Sequence, residues 1–121
     1  MNDDEAFDFI KTYFYKLFSK RNLDCLDIYL AKDHFDDDIG ILEKDHIRNS
    51  KEYLSKWFID EPTIDVDVIK VISNDNVITA YLNWYVIRNN QKHIIKKGIG
   101  IFTIREMKIV KRHTYMYFSE Q

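Results

Sequence analysis

A chain of 121 residues with three Gly, one Pro and one Cys reads as a single domain, 1–121, of long regular elements joined by tight turns. Its apolar share of 45%, charged share of 31% and net charge of −2 exclude disorder, collagen-like repeats, low complexity and a broadly cationic nucleic-acid binder. The lone Cys25 permits no internal disulfide and points to a reducing, cytoplasmic setting; the acidic start Met-Asn-Asp-Asp-Glu is no secretory signal, and Val77 to Ile87 is too short to span a bilayer.

Up to Pro62 the hydrophobic period is helical. Ala6, Ile10, Tyr13, Phe14, Leu17 and Phe18 follow i, i+3, i+4 spacing behind the acidic residues Asp3 to Glu5. Asn22 reads as the cap of a short second helix striped by Leu23, Leu26 and Leu30. From His34 to Leu42, Phe35, Asp37, Ile39 and Ile41 alternate with polar residues or Gly40, the pattern of a short extended segment. Asn49 and Glu52 have capping-box spacing ahead of Tyr53, Leu54, Trp57 and Phe58, and Pro62 ends that third helix.

Beyond Pro62 the residues are β-branched and aromatic, with strands expected at 64–72, 77–88, 92–105 and 108–118. Asn74-Asp75, Asn89-Asn90 and Glu106-Met107 supply the turns. Ile78, Ala80, Leu82, Trp84 and Val86 make one apolar face; the other, with Tyr81 and Tyr85, is Tyr-rich. Strands this long twist too strongly to stay flat, and Gly98 and Gly100 are natural places for a bend or bulge. The expected fold is α+β: a cone of three N-terminal helices held in a strongly curved antiparallel β-sheet. Residual space inside it is the expected pocket, bordered by Phe14, Phe18, Trp57, Trp84 and Phe102. Residues 1–65 carry 16 acidic and 9 basic side chains, and residues 66–121 carry 4 and 9. That asymmetry reads as an acidic helical half beside a basic sheet half, or as a cationic face for an acidic partner.

The first helix ends in Ser-Lys-Arg-Asn-Leu-Asp, followed by Ile-Tyr-Leu-Ala-Lys-Asp-His-Phe-Asp-Asp-Asp-Ile-Gly. A helix leading into Pro62 comes next, and the chain closes with Met-Lys-Ile-Val-Lys-Arg-His-Thr-Tyr-Met-Tyr-Phe. This order resembles the nuclear-transport-factor-2-like superfamily, in particular its SnoaL-like and ketosteroid-isomerase-like branches. Ketosteroid isomerases carry an Asp-Pro-Val-Gly-like segment whose Asp moves a proton next to a carbonyl. The similar segment here is Asp37-Asp38-Ile39-Gly40, so the resemblance implies Asp37 as candidate base. An ungapped reading gives Asp38; alternation favours Asp37, which shares a face with Phe35 and Ile39. The isomerases' oxyanion-holding Tyr and Asp correspond to Phe14 and Gly100, so that apparatus is absent. Limonene-epoxide-hydrolase-like members have Trp-Arg-Asp-Tyr-Phe on the last strand; here the run is Arg112-His113-Thr114-Tyr115-Met116, with Thr114 replacing the Asp.

An inward-facing last strand, as the resemblance implies, puts Arg112, Thr114 and Met116 in the cavity; the opposite parity turns His113 and Tyr115 inward. No metal-ligand spacing, Gly-rich phosphate loop or nucleophile elbow occurs, so neither metal nor cofactor is expected. Two functions are in view. One is the handling of a small hydrophobic molecule in the cone, by an isomerase, cyclase or dehydratase with an Asp base. The other is a non-catalytic module whose cavity is filled by its own side chains. The Tyr-rich face, with Tyr81, Tyr85 and Tyr115 or Tyr117, suits a homodimer interface, and the resembled superfamily commonly dimerises there.

Overall fold

The computed structural model describes residues 1–36 and 46–118. Helix α1 (Asp3–Phe14) opens on a reciprocal cap: Glu5 N–H donates to Asn2 Oδ1 at 2.8 Å, and Asn2 N–H donates to Glu5 Oε1 at 3.0 Å. A π-helical turn, Tyr15–Ser19, carries the same buried face on through Leu17 and Phe18. The expected second helix is shorter than its Leu stripe suggested. It consists of a 3-10 turn (Leu23–Cys25) and one α turn, α2 (Leu26–Tyr29), and Asn22 supplies no side-chain cap. Leu30 already belongs to strand β1 (Leu30–Asp36). Helix α3 (His46–Asp60) includes Asn49 in its body, so the expected capping box there is not formed. Its buried residues His46, Ser50 and Leu54 keep a four-residue period, but two of them are polar, which hides the period from an apolar count.

Strands β2 (Asp65–Asn74), β3 (Val77–Arg88), β4 (Gln91–Arg105) and β5 (Lys108–Phe118) form the expected antiparallel meander. The sheet order is β1-β5-β4-β3-β2, with β1 parallel to β5. A parallel fifth strand therefore makes the curved sheet mixed rather than wholly antiparallel. Helical and sheet halves meet in one core, in which Ile78, Ala80, Leu82, Trp84 and Val86 are buried. Arg105 on β4 pairs with Asp33 on β1, and Arg88 on β3 with Glu61 ahead of β2. Among the described residues no helix is long and apolar enough to cross a membrane.

Gly98 and Gly100 lie in unbroken register with Leu82 and Ala80 on β3, and with Met116 and Thr114 on β5. They are not the bulges. Register shifts fall instead at Val68/Lys70, Trp84/Tyr85 and Thr103/Ile104. The glycines make room: a Cβ on Gly98 would lie 2.6 Å from the Tyr115 carbonyl oxygen and 3.1 Å from the Trp84 ring, and one on Gly100 would lie 2.7 Å from the Phe102 ring. Both positions let large rings lie against the sheet.

Candidate functional site

The register of β5 decides which of its side chains enter the cone. Phe102 pairs with Arg112, Gly100 with Thr114 and Gly98 with Met116. Arg112, Thr114 and Met116 border the interior cavity, joined there by Phe14 and Phe18 from the first helical stretch, Trp57 from α3 and Trp84 from β3. His113 and Tyr115 take the opposite face, their rings edge to face at 4.3 Å. Phe102, fully buried, stands one layer behind the cavity with its ring 6.2 Å from that of Phe14.

These rings touch one another in series. Centroid separations are 6.0 Å for Phe14–Phe18, 5.8 Å for Phe18–Trp57 and 6.3 Å for Trp57–Trp84. Lys96 Nζ lies 4.2 Å above the Trp57 ring, and burial lowers its pKa from the usual lysine value. The space the rings leave is about 30 Å³, room for a water or a two- to three-atom group. The cone is therefore largely filled by its own aromatic side chains.

What remains is bordered by polar groups. His34 on β1, 4% exposed, donates Nδ1–H to the Ile109 carbonyl at 3.2 Å. That bond commits Nδ1 as a donor, because a carbonyl oxygen only accepts. Ser50, 5% exposed, and Thr114 add hydroxyls. Ser50 Oγ and Trp84 Nε1 are buried without a hydrogen-bond partner among the described residues. Sequence reading missed His34 and Ser50: it placed His34 on the polar side of an alternating segment and put Ser50 in no stripe. Asp37 and Asp38 lie outside the described residues.

The other sheet face carries a groove of about 460 Å³ bordered by Ile69, Tyr81, Asn83, Lys97, Ile99 and Tyr115. Tyr115 also borders a neighbouring groove with Ile101, Thr103, Lys111 and His113. Tyr81 and Tyr115 are 45% and 62% exposed. Tyr85 is partly covered: Lys92, which bonds Asp67, lies 4.2 Å above its ring, and burial raises its phenol pKa. The side chain of Tyr117 lies outside the described part.

The helices wrapped by a curved five-stranded sheet also occur in solved structures. IdmH from Streptomyces antibioticus superimposes with a TM-score of 0.73 at 13% identity, over 92% of this chain and 91% of that one. The fold is SnoaL-like. A SnoaL-like polyketide cyclase from Agrobacterium tumefaciens gives 0.72 at 14% identity over 93% and 91% of the two chains. An LEH-like epoxide hydrolase from M. tuberculosis gives 0.65 at 14% over 97% and 84%. No protein-family model matches the chain, and no curated protein matches it in sequence. At such identities the likeness establishes the SnoaL-like fold and leaves the chemistry to be argued from this chain's own residues.

Proposed function

We propose that this SnoaL-like protein binds a small, largely hydrophobic molecule at the inner end of the cone and acts on it as an isomerase, cyclase or dehydratase. The observation that carries this reading is the convergence of His34, Ser50, Arg112 and Thr114 on one interior cavity among aromatic rings. A core built for stability alone leaves such positions apolar. Proton transfer falls to Asp37 or Asp38, as the resemblance implies. Arg112 suits a carbonyl or carboxylate on the ligand. Typical ligand pockets measure roughly 300–1,000 Å³, so a ligand must displace the less buried lining residues Tyr53, Trp57 or Met116.

A thermal-shift screen against cyclic ketones and aromatic acids tests this reading. The expected result is a saturable rise in melting temperature that Arg112→Met abolishes; a ligand at a hundredfold excess over its Kd is worth about 2.7 kcal/mol. No shift with any compound, in a well-folded protein, supports the second reading. That reading is a non-catalytic module with a side-chain-filled interior, and the 30 Å³ volume favours it. In either case the Tyr-rich face is proposed as a homodimer surface, supported by the exposure of Tyr81 and Tyr115 beside apolar Ile69 and Ile99. Sedimentation is expected to give twice the 14.7 kDa chain mass, reduced to the monomer by Tyr81→Lys.

A further inference from the structure

Two buried polar atoms on residues that border the cone cavity have no hydrogen-bond partner among the described residues. They are Ser50 Oγ on α3 and Trp84 Nε1 on β3, and both residues border the same 30 Å³ space. A dry core would be served as well by Ala at the first position and Phe at the second, with no desolvated donor left over. An indole N–H can only donate; a serine hydroxyl can donate or accept. Thr114, Arg112 and His34 border the same space, and no carboxylate occurs among the described lining residues. The unspent indole proton calls for an acceptor atom, and the space admits only a small group.

We propose that this space is a head-group subsite for the oxygen of a ligand carbonyl or carboxylate. Trp84 Nε1–H and Ser50 Oγ–H donate to that oxygen, while the apolar body of the ligand lies against Phe18, Trp57 and Met116. The assignment rests on the reading of the cone as the ligand site and adds to it the chemical class of the ligand's buried end. Water serves the same two donors when no ligand is bound.

The two indole N–H resonances of the protein, distinguished by Trp57→Phe, provide the readout in a ¹H–¹⁵N spectrum. The probes are acetone, acetate and xenon; xenon fills small apolar cavities without accepting a hydrogen bond. Acetone or acetate is expected to move the Trp84 N–H downfield, and Ser50→Ala to weaken that binding about five- to tenfold while the fold persists. Acetate acting alone assigns the head group as a carboxylate; acetone acting as well assigns it as any carbonyl. If xenon moves the Trp84 resonance as much as the oxygen-bearing probes do, or Ser50→Ala leaves their affinity unchanged, the subsite is overturned while the cone remains a binding site. If no probe perturbs any residue bordering the cavity, the cone reading falls and takes the subsite with it.

Discussion

Cys25 is buried between the 3-10 turn and α2, and burial raises its thiol pKa above the ordinary value. A protonated, covered thiol is a poor nucleophile. Iodoacetamide is therefore expected to label it slower in the native protein than in urea by about two orders of magnitude or more, read by mass spectrometry. Lys96 gives a pH signature. Burial lowers its folded pKa below 10.5, so between the two values the unfolded chain binds more protons and stability rises with pH. The cost of holding the ammonium is complete below the lowered value and fades towards 10.5. Denaturation of wild type and Lys96→Met across that alkaline range should show the wild type gaining on the variant. At Gly98 an added methyl meets backbone, not a movable side chain. Gly98→Ala is accordingly expected to cost about 1–3 kcal/mol in chemical denaturation.

At the scale of elements, the hairpin between β4 and β5 turns through Glu106 and Met107 at φ values of 52° and 61°. The hairpin between β3 and β4 turns through Asn89 and Asn90 at 53° and 60°, with residues that tolerate this region. Glu and Met are strained there, by about 1–2 kcal/mol per residue. Both are exposed, so Glu106→Asn with Met107→Gly should raise stability by about 1–2 kcal/mol and shift the urea midpoint upward. The four long strands were legible because Val, Ile and Tyr alternate in them and Asn or Asp separates most of them. β1 was legible only at His34 to Asp36, where the extended segment expected over 34–42 overlaps it, because its pairing with β5 is fixed by a partner some 75 residues away and its own residues include Lys32, Asp33 and His34; the rest of that expected segment lies outside the described residues. The start of α3 was hidden for a related reason: Asn49 and Glu52 have the right spacing for a cap, yet the packing of His46 and Ser50 extends the helix past it.

Across the whole molecule, the aromatic half of the site could be read in advance because large rings at helical and strand spacing must share one interior. Phe14, Phe18, Trp57 and Trp84 do meet there. The polar half could not, since Ser50 and His34 look like surface residues until α3 is brought against β1 and β1 against β5. Nor does an aromatic count give the residual volume, which depends on how glycines admit the rings to the sheet. The parallel contact of β1 with β5 has one more effect. β5 sits between β1 and the rest of the sheet, so a nascent chain halted at Arg105 has the β2–β4 meander but not the strand that its early segment pairs with. During translation that segment must wait for β5, so its pairing is among the last contacts of the sheet to form.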